Sequence, residues 1–307
     1  MKIFLSGGSG MVGKNIIHHP LASEHTLLAP PRKELDLLDE GAVRAYMAEY
    51  NPDIVIHAAG TVGGIQANIA SPVSFLCDNL RLGMNVILGA RHAGVKCLLN
   101  IGSSCMYPRE AHNPLREDVL LTGALEPTNE GYAIAKITCA RLCDYIHRET
   151  PNFFYKTIIP CNLYGRYDTF DPGKSHMIPA AIRKISEAVM SGADVVDVWG
   201  TGEARREFMY ASDLADFVYT AVSRFSDLPQ NMNVGLGHDH SVIDYYRTIA
   251  DVLGFKGSFV HDLSKPQGIT QKLVDVTRLN AFGWTAKTSL TSGIEQTYSY
   301  FKNGTHP

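Results

Sequence analysis

The 307-residue chain lacks most of the features that assign a sequence quickly. No stretch approaches the ~20 apolar residues needed to span a bilayer. The opening MKIFLSGG reaches its glycines too early for a secretion signal. None of the six cysteines forms a CxxC pair, and the twelve histidines contain no HExxH. A disulfide framework is not expected, and a reduced, cytoplasmic setting is. His238-Asp239-His240 offers metal-ligand chemistry but reads as a solvated loop before a helix, so no metal is expected. Charge of one sign is missing as well, since 28 Lys+Arg stand against 31 Asp+Glu. A net charge of −3 provides no basic stripe for nucleic acid and no polybasic patch for a membrane.

What is present is ordinary globular composition, 45% apolar and 19% charged, in a chain long enough for a large core. Strand-like runs at 2–6 (KIFLS), 26–29, 53–58 (DIVIHA), 96–101 and 155–160 alternate with helical patterns at 11–19, 42–50, 73–92 and 129–149. Strands separated by helices of this length predict an α/β fold, a Rossmann-type doubly wound parallel sheet. After Asn162 the alternation degrades, which predicts a smaller mixed α/β substrate lobe. The expected division is a dinucleotide-binding domain over 1–162, a segment near 205–235 returning to it, and a substrate-binding lobe over 163–307. The helices at 73–92 and 129–149 are apolar on more than one face, so a homodimer through them is expected unless the second lobe covers them.

Gly7-Gly8-Ser9-Gly10-Met11-Val12-Gly13 follows the first strand and opens the first helix. In that position the glycines allow a tight turn and close approach of a pyrophosphate to the backbone. The second strand ends Ala29-Pro30-Pro31-Arg32-Lys33, two cations where a ribose-binding acid would specify NAD, so NADP is favoured. An exposed solvated pair would look the same. Tyr132 and Lys136 sit one turn apart on a helix face. An ammonium beside a phenol is expected to lower its pKa, which suits proton transfer to a carbonyl as hydride arrives. Ser103, at the end of the fourth strand, can hydrogen-bond the same oxygen.

With these motifs the chain resembles the extended short-chain dehydrogenase/reductase family. The resemblance implies Ser103, Tyr132 and Lys136 as the catalytic set, and nicotinamide chemistry on a sugar nucleotide. Asp36-Leu37 and Ala58-Ala59-Gly60 match its adenine- and ribose-side positions. The candidate cofactor contacts are Gly7, Gly10, Met11, Val12, Gly13, Arg32, Asp36, Leu37, Ala58, Ala59, Tyr132, Lys136, Asn162 and Leu163.

GSSCMYP (102–108) adds a cysteine. In an extended segment Cys105 would face the same side as Ser103, near carbons acidified by the ketone. A thiolate of tuned pKa is then a plausible base, with His176, just before a later helix, as proton donor on the opposite face. A small buried cysteine and a capping histidine are the plainer readings of both residues.

VGGIQAN (62–68), GSSCMYP, LEPTNEGYAIAK (125–136), PCNLYG (160–165), SHMIPA (175–180), VWGTG (198–202) and REF (206–208) resemble the GDP-L-fucose synthase branch of the family, NADPH-dependent 3,5-epimerase/4-reductases of GDP-4-keto-6-deoxy-mannose. The likeness implies Cys105 and His176 as the epimerisation pair. It also implies GDP-sugar contacts from Asn162, Lys184, Trp199, Arg206 and Lys272. Two departures stand out: Arg166-Tyr167-Asp168-Thr169 replaces the branch's proline-histidine-aspartate-asparagine run, and Ser9 stands where some members carry an arginine. A reductase without epimerase activity, on a related GDP-4-keto-6-deoxy sugar or heptose, is the close alternative. A 4,6-dehydratase would carry an Asp-Glu pair where Ser104-Cys105 stand, and a non-catalytic NADP-sensing protein would have no need of Tyr132 and Lys136.

Overall fold

The computed structural model describes residues 1–265 and 268–304. Strands β1 (Lys2–Ser6), β2 (Thr26–Leu28), β3 (Ile54–His57), β4 (Cys97–Ile101) and β5 (Phe154–Pro160) are joined by a late strand, Asn231–Val234. The sheet is parallel, in the order Asn231–Val234, β5, β4, β3, β1, β2. Alternation sends Ile3, Leu5, Ile54 and Ile56 into one core and Phe4 and Val55 into the other. Both faces are covered, which is why these strands read as unbroken apolar runs.

Helices α1 (Met11–Ile17), α2 (Glu40–Tyr50), α3 (Ile65–Ala70), α4 (Pro72–His92) and α5 (Glu130–Glu149) connect the strands. Val43 and Met47 of α2, Val86 and Ile87 of α4, and Cys139 and Cys143 of α5 fill one core. On the other face Ile16 of α1 meets Leu214, Phe217 and Val218 of the late helix Ala211–Ser223. No helix among the described residues is long and apolar enough to cross a membrane.

A third core lies in the second lobe. Ile178, Ile182 and Ile185 of helix Met177–Ser191 pack with Tyr245, Tyr246 and Ile249 of Val242–Leu253, and with Ile294 and Tyr300 of Leu290–Lys302. Asn162–Tyr164 pairs with Phe208–Tyr210. A three-stranded sheet joins His240–Ser241, Arg205–Arg206 and Gln271–Lys272. Beyond these strands, Val274, Leu279, Phe282 and Trp284 pack in the first lobe's core. No periodicity in that late segment signals the return, because a short helix (Thr277–Phe282) and loops carry its apolar residues.

Candidate active site

The loops that follow the strands open at the carboxyl edge of the sheet, where doubly wound folds bind ligands. Together with the second lobe they line one cleft of about 910 Å³. The glycine loop forms its floor. Gly7 has φ +77, and a Cβ there would stand 2.7 Å from the backbone of Ala59. A Cβ on Gly13 would stand 2.1 Å from the Gly7 carbonyl oxygen. Gly10 begins α1 with no side-chain cap, so the N–H groups of Met11, Val12 and Gly13 have no intrahelical partner. This cradle fits the pyrophosphate of a dinucleotide.

Ala58 and Ala59 form the next wall. The Ala59 N–H reaches Ser6 Oγ at 3.3 Å, and Ser6 Oγ lies 2.8 Å from His57 Nδ1. Ser6 Oγ thus accepts from Ala59 and shares a hydrogen bond with His57. Burial, with Lys136 adding, pushes His57 down to about 3, so the ring is neutral. Sequence reasoning missed this pair because no spacing announces a contact between two strands. Arg32, Asp36 and Leu37 line the outer end of the cleft. Arg32 lies 3.6 Å from Asp36 with 78% of its side chain exposed; so exposed a pair contributes little and leaves the guanidinium available to an anion.

Ser103, Cys105, Tyr132 and Lys136 meet in the same cleft. The segment after Ser103 is not extended, however. Ser104–Met106 is a 3-10 turn in which Ser103 Oγ accepts the Cys105 N–H at 3.3 Å. Cys105 thus faces the cleft through this turn and not through strand alternation.

Three expected protonation states are also corrected. Burial raises Tyr132 above its ordinary value, Cys105 and Cys139 add to the rise, and a hydrogen bond with Ser103 opposes it. Lys136 does not win this balance. Its Nζ is 5.8 Å from the Tyr132 ring centroid and donates to the Ile101 carbonyl at 3.0 Å, and burial lowers its own pKa. The Cys105 thiol is likewise pushed up by burial, against the pull of Lys272, so it rests protonated. His176 holds the N-cap position of Met177–Ser191 but makes no side-chain cap bond. Its ring lines the cleft, where burial lowers its pKa. At rest, then, burial favours the neutral form of both groups, so the pair must exchange a proton before one acts as base and the other as acid.

The second lobe supplies the far end. Lys184 Nζ lies 2.5 Å from Asp197 Oδ2 and 5.5 Å from the Trp199 ring centroid. Lys265 flanks the same ring at 5.6 Å. Arg206 and Lys272 are register partners on adjacent parallel strands, and burial lowers the pKa of both. Asn162 and Leu163 line the cleft, and Asn162 Nδ2 donates to the Glu207 carbonyl at 3.0 Å.

Glu126 and Arg183 of the cleft also escaped sequence reasoning. Glu126 Oε1 accepts from the Thr128 hydroxyl at 3.0 Å, and Arg183 Nη1 lies 2.9 Å from Glu187. A lone charge in a turn or on a helix carries no pattern of its own. Elsewhere Asp239 of the histidine pair's loop is held by Arg205 at 2.6 Å and Gln271 at 2.6 Å. Among the described residues no His/Cys/Asp/Glu cluster is placed to hold a metal ion.

The Arg166–Thr169 departure buries an acid. Asp168 accepts the Thr169 N–H at 2.8 Å, while burial pushes its carboxyl up to about 7. A raised folded-state pKa means the native state holds this proton more tightly than the unfolded chain. The stabilisation is full below the ordinary carboxyl range and is lost as pH rises through 7. Asp168→Asn is therefore expected to gain stability relative to the parent between pH 5 and pH 8, by roughly 2–4 kcal/mol. Thermal melts at both pH values check this; an unchanged difference would contradict it.

The sequence pattern of the NAD dependent epimerase/dehydratase family matches residues 3–235. The chain belongs to that family. Along 303 residues it is 54% identical to the GDP-L-colitose synthase of Yersinia pseudotuberculosis, covering 99% of this chain and 98% of that protein. It is 47% identical over 303 residues to the GDP-L-fucose synthase of Azorhizobium caulinodans, covering 99% and 97%. A solved structure of a GDP-mannoheptose C4 reductase from Campylobacter jejuni, with NADP bound, matches with a TM-score of 0.87 at 30% identity, covering 98% of both chains. These family members share the whole length of the chain, both lobes included.

Proposed function

We propose that the protein is an NADP(H)-dependent epimerase/reductase that converts a GDP-4-keto-6-deoxy-mannose-type sugar nucleotide to GDP-L-fucose. The observation that carries this reading is the cleft itself, which gathers Ser103, Cys105, Tyr132 and His176 with Lys184, Trp199, Arg206 and Lys272. Full-length relatives named for GDP-L-fucose and GDP-L-colitose synthesis support it.

When bound, the cofactor supplies hydride to the sugar's carbonyl carbon. The neutral Tyr132 phenol gives its proton to the carbonyl oxygen, which the Ser103 hydroxyl holds. Lys136, anchored on Ile101, stabilises the phenolate left behind. Before reduction, Cys105 as thiolate takes a proton from a carbon beside the carbonyl, and the Ser103 and Tyr132 hydroxyls stabilise the enolate. Protonated His176 gives a proton to the opposite face, and transfer of the proton now on the Cys105 thiol back to the imidazole through solvent restores the pair. Trp199 offers its ring to the nucleotide base, and Arg206 and Lys272 offer charge to the diphosphate.

Incubation with GDP-4-keto-6-deoxy-mannose and NADPH, followed by stereochemical analysis, tests the proposal. An L-fucosyl product is expected; unconsumed substrate would sink it. The buried Cys105 thiol favours a second reading, reduction alone, for which a D-rhamnosyl product is the signature.

Arg32 is proposed to read the 2′-phosphate of the cofactor. Loss of one charge-assisted contact is worth roughly 1.5–3 kcal/mol, about 10–100-fold in affinity. Arg32→Ala is expected to weaken NADPH by that factor and leave NADH nearly unchanged, as read by fluorescence titration; equal weakening of both would contradict the assignment. The exposed Met84, Ile134 and Tyr145 on α4 and α5 support a homodimer through these helices, which solution mass measurement checks.

A further inference from the structure

Glu207 belongs to the REF run and takes no part in the chemistry above. Its side chain does not line the cleft, and only 1% of the residue is exposed. Its carboxylate nevertheless gathers segments distant in sequence. Oε1 accepts the N–H groups of Leu236, at 2.5 Å, and Gly237, at 2.9 Å. Oε2 accepts the Val274 N–H at 2.9 Å, and the main-chain oxygen of Glu207 accepts Asn162 Nδ2 at 3.0 Å. Gly235 permits the approach, because a Cβ there would stand 2.5 Å from Oε1 and 2.6 Å from Val274 Cγ2.

Glu207 and Val274 each lie close in sequence to a residue assigned to the sugar nucleotide. Arg206 precedes Glu207, and the Tyr245 hydroxyl donates to the Arg206 carbonyl at 2.8 Å. Lys272 lies two residues before Val274 and is the register partner of Arg206. Asn162 ends the connection from β5. Glu207 therefore ties three strand ends together, two through its carboxylate and one through its main-chain oxygen. None of its side-chain bonds reaches the glycine loop or the Ala58–Ala59 wall.

We propose that Glu207 is a positioning residue that sets Arg206 and Lys272 in a common frame for the nucleotide sugar. The proposal rests on the function assigned above. Ordinary surface or packing residues could not substitute, since three converging N–H groups need an acceptor with two oxygens. An amide at this position would turn one NH2 against a backbone N–H, and aspartate would fall a methylene short.

The test compares Glu207→Gln, Glu207→Asp and Gly235→Ala with the parent, reading GDP affinity by calorimetry and NADPH affinity by fluorescence. Losing one buried acceptor is expected to weaken GDP about tenfold, with NADPH affinity unchanged. With the keto sugar, KM should rise by a similar factor while kcat changes little. Unchanged GDP affinity in a folded variant overturns the proposal. So does joint loss of GDP and NADPH affinity, or failure of all three variants to fold, either of which makes the carboxylate a structural support only. If the parent binds GDP and NADPH but does not consume the keto sugar, the function reading fails while the GDP comparison still decides the role of Glu207.

Discussion

Tyr132→Phe is expected to slow hydride transfer by on the order of 10²–10⁴-fold, the usual contribution of one positioned acid. Of Ser103, Tyr132 and Lys136, the phenol is the group proposed to give up its proton, being a far stronger acid than the serine hydroxyl that holds the oxygen. Lys136 is committed to the Ile101 carbonyl at 3.0 Å, and Ser103 Oγ already accepts the Cys105 N–H. Burial keeps Tyr132 in its neutral form, so reduction should not fall off with rising pH near the ordinary phenol value of ~10. NADPH affinity should survive, because the cradle at Gly7–Gly13 does not depend on the hydroxyl. Stopped-flow NADPH oxidation separates the two effects. Near-parental oxidation rates would remove Tyr132 from the reaction.

Cys105→Ser is expected to abolish exchange of solvent protons at the carbons beside the ketone, while a pre-epimerised substrate is still reduced. A serine hydroxyl fits the same 3-10 turn, so folding and the Ser103 contact are preserved, yet it is a far weaker acid than a thiol. The loss should be at least on the order of 10²-fold for one acid–base group. His176→Asn should lose inversion, since no donor then stands on the opposite face, while exchange through Cys105 persists. Deuterium incorporation in D2O, read by NMR, is the measurement. Undiminished exchange in the serine variant would break the pairing of Cys105 with His176 and leave a ketoreductase.

The resting protonation states carry a consequence for these experiments. Cys105 and Tyr132 are both raised by burial, and His176 is lowered by it. Residue type alone pointed to a thiolate base, an imidazolium acid and a phenol softened by lysine. Desolvation outweighs the neighbouring charges at each of the three, because a narrow cleft penalises every charged form it encloses.

The first five strands and their helices were legible in the sequence, since alternating apolar runs and amphipathic stretches are local signals. So were the glycine loop and the Tyr132–Lys136 pair, whose spacing is itself the chemistry. The turn at Ser104–Met106 was not, because a serine hydroxyl capping the second residue on leaves no periodicity. Nor were the Ser6–His57 pair, the return of Val274–Trp284 to the first core, or the hub at Glu207. Each depends on residues far apart in the chain.

The sequence by itself determined that this chain winds a parallel sheet behind a dinucleotide-binding turn and brings a serine, a tyrosine and a lysine to that sheet's edge. Only the tertiary structure decided which groups burial keeps neutral there and which late segments wall the cleft. Local composition records what a residue can do, whereas burial and long-range hydrogen bonds, which set pKa and position, exist only once distant segments have packed.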